Sequence, residues 1–465
     1  MHFPSIILRR RRDDLTLPLP PGATYRFPDG FLWGAATSSH QVEGDNERSD
    51  WWRFERLDGK VRQFRSYSAQ AQRYKSDHWR RFSDDIAMMH ADLGLTSYRF
   101  SLEWSRIEPA PGRFDQSVID RYARMCAAMR DVGIAPMVTL FHWSSPDWIW
   151  DHDREDSTGW YAPQIVEHFE RFCTRVVTAL ADHVDLFVTI NEPNVFLYGG
   201  YAEGILAPGH RRKDEALLTV QRNLLRCHVA AYRAIKRIRP TAQVGLAHHY
   251  CPFEPHGNWN PLEAWVAGRV EQGFTWAFPD AIRDGAFTFA IRQARRPRFH
   301  TEQVPDLKGT ADFMGVNFYE RMLVKVPAAV RLSRMTIVHE HESDKEIWPA
   351  GIHTRRFVDV LQEVQRRYGL PIYVTENGQA HTDDDCRRGF IRQHLGALGH
   401  AVNELGIDVR GYYYWSLLDN QEWAHGFLPR LGLYAVDYET GQRQLRGSAK
   451  MYAQIIADGC VTTPG

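Results

Sequence analysis

The chain carries the stretch Leu370-Pro-Ile-Tyr-Val-Thr-Glu-Asn-Gly378, which has the pattern of a short buried strand. Pro371 opens the run, its centre is rich in β-branched and aromatic residues, and Gly378 closes it. A carboxylate, Glu376, lies at the C-terminal end of the run. The pattern therefore predicts a strand that presents an acidic side chain at its tip.

A second strand-like run, Leu186-Phe-Val-Thr-Ile190, ends in the same way, in Asn191-Glu192-Pro193. Glu192 and Glu376 thus occupy equivalent positions on two predicted strands. If both strands belong to one parallel sheet, their C-terminal ends face one cleft. Glycoside hydrolysis requires two carboxylates in one cleft, because one attacks the anomeric carbon while the other protonates the leaving oxygen.

The motifs Val374-Thr-Glu-Asn-Gly378 and Thr189-Ile-Asn-Glu-Pro193 resemble the nucleophile and acid/base motifs of glycoside hydrolase family 1, the retaining β-glucosidases and β-galactosidases. The resemblance extends over nearly the whole chain, from about residue 27 to about residue 452. It implies that Glu376 is the nucleophile and Glu192 the acid/base, with carboxyl groups about 5–5.5 Å apart and a covalent glycosyl-enzyme between two steps. No cofactor and no metal are implied, because both steps use only carboxylates and water.

Strand-like runs alternate with longer amphipathic segments from Phe31 onward. We predict eight strands, at about residues 31–37, 96–101, 135–142, 185–191, 242–248, 312–318, 371–376 and 409–415. Eight such units predict an α/β fold, a single (β/α)8 TIM barrel with long βα loops, over residues 25–465. Residues 1–24, which include four consecutive arginines and several prolines, are expected to form a disordered N-terminal tail.

The ends of the predicted strands carry the residues that the resemblance implies for a sugar site. Arg99 matches the arginine that pairs with the nucleophile, and Tyr319 matches the tyrosine that hydrogen-bonds it. The implied sugar ligands are Gln41, His142, Asn191, Trp415, Glu422 and Trp423. The adjacent guanidinium should keep Glu376 ionised, whereas Glu192, away from the arginine, should hold its proton near neutral pH.

Several residues at the sugar site depart from the pattern of the family or separate its branches. Glu422 would repel a phosphate, whereas the 6-phospho-glycosidase branch carries serine there, so an unphosphorylated sugar is expected. Gln421 replaces an aromatic residue, and Leu431 replaces a phenylalanine near the 6-position of the sugar, which suggests a wider or less selective rim. Lys345 replaces the tryptophan that stacks the aglycone, and Trp348 is the candidate to take its place.

Two adjacent histidines, His248 and His249, end the fifth predicted strand. A pair of histidines can indicate a metal site, but no third ligand follows at a recognisable spacing. We therefore expect both side chains to have structural roles.

Composition limits the partners of the chain. Lysine plus arginine and aspartate plus glutamate each total 57, so nucleic acid and anionic membranes are not expected partners. No apolar stretch approaches the ~20 residues that a membrane span needs. The expected partner is a small-molecule or oligosaccharide β-glycoside. The six cysteines are scattered without CxxC spacing, which favours free thiols and a cytoplasmic location.

The sequence thus predicts a retaining, exo-acting β-glycosidase, with β-glucosidase activity expected and β-galactosidase or β-fucosidase activity alongside it. Two alternatives use the same barrel. A transglycosidase, which passes the sugar to an alcohol, needs identical residues and stays open. A non-catalytic sugar-binding barrel is expected to lose one of the two glutamates, and this chain has both Glu192 and Glu376.

Overall fold

The computed structural model describes residues 15–154, 157–212, 214–257, 260–293, 296–326, 336–339 and 351–464. Lys345 and Trp348, and with them the prediction about the aglycone, lie outside the described residues. Eight parallel strands close into one barrel, and each pairs with its neighbours in chain order until the last pairs with the first. The predicted (β/α)8 barrel is therefore confirmed.

The barrel strands coincide with the predicted runs to within one residue at each end. They are β1 (Leu32–Ala36), β2 (Ser97–Ser101), β3 (Ala135–Phe141), β4 (Leu186–Asn191), β5 (Gln243–His249), β6 (Phe313–Asn317), β7 (Ile372–Asn377) and β8 (Val409–Trp415). Every residue of β2, β4, β6 and β7 is buried. Such strands are buried on both faces, because helices cover the outside of the barrel and side chains fill the inside.

A helix of the outer layer follows each barrel strand. These helices are α1 (His78–Ala91), α2 (Gln116–Asp131), α3 (Ile165–Leu180), α4 (Asp214–Ile238), α5 (Ala277–Asp284), α6 (Thr354–Tyr368), α7 (Asp384–Asn403) and α8 (Gly447–Asp458). The amphipathic pattern of these helices is clear in α3, whose buried residues recur at helical spacing along one face.

Long loops extend from the C-terminal ends of the strands, as predicted. They contain short helices at Ser39–Val42, Asp50–Phe54, Phe64–Ser66, Ala69–Tyr74, Trp104–Ile107, Asp147–Ile149, Gly159–Tyr161, Pro193–Leu197, Tyr198–Glu203, Pro261–Glu271, Gln272–Trp276 and Trp423–His425. They also contain a three-stranded sheet (Phe253–Pro255, Met322–Lys325, Thr336–His339) and a two-stranded one (Tyr434–Val436, Arg443–Leu445). A hairpin of Ala286–Gln293 and Arg296–Gln303 connects α5 to β6.

The segment before the barrel is bound to the fold from residue 15 onward, which corrects part of the expected tail. The short strand Thr24–Arg26 pairs with Cys460–Thr462 near the C-terminus. Upstream of it, the backbone N–H of Leu17 donates to Thr354 Oγ1 at 2.9 Å. Residues 15–24 therefore belong with the barrel, because their backbone groups hydrogen-bond to distant parts of the chain.

Four of the six cysteines are buried and form no disulfide: Cys126, Cys173, Cys227 and Cys251. Burial in apolar surroundings raises the pKa of these four thiols, which makes them unreactive. Across the described residues, no helix is both long enough and apolar enough to cross a membrane.

The tips of β7 and β8 approach each other at Gly378. A Cβ atom added to Gly378 would overlap the carbonyl oxygen of Trp415, so only glycine fits between the two backbones. This contact sets Glu376 on β7 beside Trp415 on β8. The glycine that ends the motif is thus a packing requirement of the site.

Gly378→Ala is expected to destabilise the fold by about 1–3 kcal/mol, because rigid backbone blocks the new methyl group. Urea unfolding of the purified variant measures the change in the free energy of unfolding. Gly389→Ala in α7 is the matched control. Its nearest neighbour is Gln393 Nε2 at 4.0 Å, and alanine favours a helix, so stability should be kept or raised. A Gly378→Ala protein as stable as wild type would contradict this packing.

Candidate active site

The candidate nucleophile, Glu376, is held by two hydrogen bonds near the end of β7. Its Oε1 accepts from Arg99 Nη1 at 2.6 Å, and its Oε2 accepts from the Tyr319 hydroxyl at 2.7 Å. Burial raises the pKa of Glu376 to about 7, against the effect of the Arg99 guanidinium. The charge of Glu192 raises this pKa further, and the Tyr319 hydroxyl lowers it.

The candidate acid/base, Glu192, comes directly after β4, in a left-handed backbone conformation with φ of 40°. Non-glycine residues rarely adopt positive φ, and those that do are frequent at functional sites. Its Oε1 accepts from Asn317 Nδ2 at 2.8 Å and lies 3.4 Å from His249 Nδ1. Within the described part of the chain, its Oε2 has no hydrogen-bond partner.

One hydrogen-bond network joins the two carboxyl groups. Arg99 Nη2 donates to Asn191 Oδ1 at 2.6 Å, and Asn317 Nδ2 donates to the same oxygen at 3.1 Å. Glu376 therefore contacts a guanidinium, whereas Glu192 contacts the Asn317 amide and the His249 imidazole. Two buried carboxyls that repel each other keep one proton between them near neutral pH. Arg99 stabilises the negative charge on Glu376.

Two of the predicted sugar ligands contact each other directly. Gln41 Nε2 donates to Glu422 Oε2 at 3.1 Å and to Asn420 Oδ1 at 3.0 Å. Burial raises the pKa of Glu422 to about 8, and the charge of Glu376 adds to this effect. A buried amide and carboxyl side by side offer donors and acceptors for two neighbouring hydroxyl groups of a sugar.

The remaining sugar ligands form a ring stack beside this pair. His142 stacks against two indoles, with ring centroids 5.8 Å from Trp415 and 6.0 Å from Trp423. Burial and the charge of Arg99 hold the pKa of His142 well below its usual range, so its imidazole is neutral. Its Nε2 lies 2.9 Å from Asn191 Nδ2, which connects the stack to the carboxyl groups. The predicted catalytic residues and sugar ligands thus lie together at the C-terminal end of the barrel.

Two site residues were not among the predicted ligands. Asn317, the last residue of β6, hydrogen-bonds Glu192. His249, which was expected to be structural, contacts Glu192. His248 does have a structural contact, since its Nε2 lies 2.8 Å from the carbonyl oxygen of Thr275. Their positions could have indicated both residues, because Asn317 and His249 are each the last residue of a barrel strand.

The two substitutions at the predicted rim have different surroundings. Gln421 is buried, and its amide donates to Glu55 Oε2 at 3.1 Å, the same oxygen that pairs with buried Lys75 at 3.1 Å. Leu431 is also buried and packs in the cluster that contains Trp415. Neither side chain lies on an open surface. Among the described residues, no three His, Cys, Asp or Glu side chains are grouped so that they could hold a metal ion.

A (β/α)8 barrel with two buried carboxyl groups beside neutral hydrogen-bonding groups and indoles has the architecture of a glycoside hydrolase. The chain belongs to glycosyl hydrolase family 1, because the sequence model of that family matches residues 23–460. The chain is therefore a glycosidase of the β-glucosidase type, as predicted.

The chain is similar to Beta-glucosidase A of Thermotoga maritima, with 31% identity over 456 residues that cover 93% of this chain and 98% of that protein. A solved beta-glycosidase from Pyrococcus horikoshii matches with a TM-score of 0.82 and 33% identity, over 94% of this chain and 96% of that one. A beta-glucosidase from Thermotoga maritima, solved in complex with deoxynojirimycin, matches with a TM-score of 0.80 and 29% identity, over 94% and 99%.

Tyr319→Phe removes the hydroxyl that favours the ionised form of Glu376. The pKa of Glu376 should therefore rise, and the acidic limb of the pH profile of kcat/KM should move to higher pH. A hydrogen bond to a charged group contributes about 1.5–3 kcal/mol, so kcat/KM at the optimum should fall by about 10- to 100-fold. Hydrolysis of 4-nitrophenyl β-D-glucoside across pH measures both effects.

The matched control is Tyr232→Phe, which also removes a tyrosine hydroxyl that donates to a carboxylate, Asp312, but outside the site. Its pH profile should equal that of wild type. An unchanged acidic limb in Tyr319→Phe would contradict the role given to its hydroxyl.

Proposed function

We propose that this chain hydrolyses unphosphorylated β-glucosides with retention of configuration, with Glu376 as the nucleophile and Glu192 as the acid/base. The observation that carries this assignment is the unequal bonding of the two carboxyl groups. Arg99 and Tyr319 donate to Glu376, while Glu192 receives an amide hydrogen bond from Asn317. One carboxyl is thus prepared to stay charged and the other to carry a proton.

In the first step, a carboxylate oxygen of Glu376 forms a bond to the anomeric carbon as the glycosidic C–O bond breaks. Glu192 transfers its proton to the departing oxygen, which leaves as an alcohol. The negative charge moves from Glu376 to Glu192, within the same hydrogen-bond network. Asn191, fixed by Arg99, is placed to hold the 2-hydroxyl of the sugar, a contact that strengthens in the transition state.

In the second step, the ionised Glu192 removes a proton from water, whose oxygen bonds to the anomeric carbon. The ester bond to Glu376 breaks, and this side chain becomes a carboxylate again. Each step inverts the anomeric carbon, so the product retains the β configuration. Both carboxyl groups end the cycle in the protonation states in which they began.

Glucose is the proposed glycone, and both the site and the relatives support it. Gln41 and Glu422 supply adjacent hydrogen-bonding groups, and Trp415 and Trp423 supply apolar ring faces that suit a pyranose. The relatives in Thermotoga maritima carry the name beta-glucosidase. We also propose the cytoplasm as the compartment, since the four buried cysteines form no disulfide.

A panel of 4-nitrophenyl β-D-glycosides tests the glycone. We expect the glucoside to give the highest kcat/KM, followed by the galactoside and fucoside. The 6-phospho-glucoside should be hydrolysed poorly, because the buried carboxyl of Glu422 offers its phosphate no positive charge. Glu376→Gln is the control that separates this site from contaminating activity. Faster hydrolysis of the 6-phospho-glucoside than of the glucoside would contradict the proposed substrate class.

Azide rescue distinguishes the two glutamates. Glu376→Ala should lower kcat by a factor of about 10⁴ or more. Azide should then attack directly and give the α-glucosyl azide. Glu192→Ala should react with 2,4-dinitrophenyl β-D-glucoside but lose about 10²–10⁴-fold with an alkyl glucoside, which needs a general acid. Azide should convert its intermediate to the β-glucosyl azide. Nuclear magnetic resonance identifies the anomers, and an exchange of the two products would reverse the assigned roles.

A further inference from the structure

His249 is a second titratable side chain beside the proposed acid/base. It ends β5, and its Nδ1 lies 3.4 Å from Glu192 Oε1. Its ring stacks on Tyr319, with centroids 6.0 Å apart and planes inclined by 27°, and meets Phe274 edge-on. Only 8% of the residue is exposed. The imidazole is therefore held between the tyrosine that bonds the nucleophile and a loop over the site.

Hydrogen bonds to the backbone hold the segments of His249 and Glu192 together. Asn194, two residues after Glu192, donates through Nδ2 to the carbonyl oxygens of His249 at 2.9 Å and of Phe274 at 3.1 Å. The N–H of Glu192 donates to the carbonyl oxygen of Ala247 at 2.8 Å. The ends of β4 and β5 are thus tied together on both sides of the contact.

The neighbouring histidine has no such contact and provides an internal comparison. Side chains alternate along a strand, so His248 points to the opposite face from His249. Its Nε2 lies 2.8 Å from the carbonyl oxygen of Thr275, and burial lowers its pKa to about 3. His248 is therefore a neutral structural side chain.

The groups around His249 favour its charged form. Burial disfavours the imidazolium, but the contact with Glu192 and the charges of Glu192, Glu320 and Glu376 outweigh this effect and raise its pKa. The other titratable group against the ring is Tyr319, whose hydroxyl donates to Glu376. A phenol in that contact stays neutral, because burial and the nearby carboxylates raise its pKa well above 10.

We propose that His249 is a positioning residue that sets the protonation and orientation of Glu192, an inference that rests on the proposed function. Asn317 and His249 both lie against Oε1 of Glu192, so this oxygen accepts and the acid proton belongs on Oε2. When the glycosidic bond breaks, the proton leaves Oε2 for the departing oxygen. The imidazolium then stabilises the new carboxylate until it removes a proton from water.

This arrangement has a defined consequence for the pH dependence of hydrolysis. A nearby positive charge favours the carboxylate form of Glu192, so wild-type enzyme should lose the acid form at a lower pH than it would without that charge. Removing the charge should shift the basic limb of kcat/KM to higher pH. A purely structural role for His249 would lower activity or stability without moving this limb.

The test compares wild type with His249→Asn and His249→Gln, both of which keep a side-chain N–H but carry no charge. Variants that match the wild-type Tm are assayed with 4-nitrophenyl β-D-glucoside across pH. We expect the basic limb to move upward by about one pH unit in each variant. His248→Asn is the matched control, in which the limb should not move.

Placing His249→Asn in the Glu192→Ala background tests whether His249 acts through Glu192. With 2,4-dinitrophenyl β-D-glucoside and azide, the second substitution should leave the pH profile unchanged. A basic limb that stays fixed in the folded single variants, or moves equally in the Glu192→Ala background, would overturn the inference about His249. Wild-type protein inactive on every glycoside would overturn the proposed function and, with it, this inference.

Discussion

The contact on which the active site depends is the ion pair between Arg99 and Glu376. Their atoms lie 2.6 Å apart, and both side chains are almost entirely removed from water. Burying two charges is costly, and the cost is offset only when the remaining hydrogen-bonding positions are filled. Arg99 meets this condition, because its other N–H groups donate to Thr139 Oγ1, the carbonyl oxygen of Thr375 and Asn191 Oδ1. One guanidinium thus connects four barrel strands.

From this contact, the different properties of the two glutamates follow. The Arg99 guanidinium contacts Glu376, whereas Glu192 lies against His249, so the barrel makes the environments of the two carboxyl groups unequal before any substrate binds. The neutral groups Asn317 and Tyr319 complete the difference. Because β5 and β6 separate β4 from β7 in the barrel, the two carboxyls approach the cleft from different sides. The proposed chemistry therefore depends on the order of the strands in the barrel as well as on the identity of the residues.

Much of this arrangement could be predicted from the sequence. The barrel strands are short apolar runs that end in polar residues, so their positions could be predicted to within one residue. The other residues of the candidate site could be predicted from the resemblance that the motifs around Glu192 and Glu376 show to the family. The contact of His249 could not be predicted, because a one-residue difference in register decides which of two adjacent histidines faces the cleft. The pairing of Thr24–Arg26 with Cys460–Thr462 could not either, since three-residue strands have no recognisable pattern and their partners lie at opposite ends of the chain.

The most direct test of the central claim is to trap the covalent intermediate. A 2-deoxy-2-fluoro-β-D-glucoside with a 2,4-dinitrophenyl leaving group should form the intermediate quickly and release it slowly, because fluorine destabilises both transition states and the leaving group compensates in the first step. Mass spectrometry of the digested protein should find one fluoroglucosyl group on the peptide that contains Glu376. Label on Glu192, or release of dinitrophenol from the protein without a covalent adduct, would contradict the assignment.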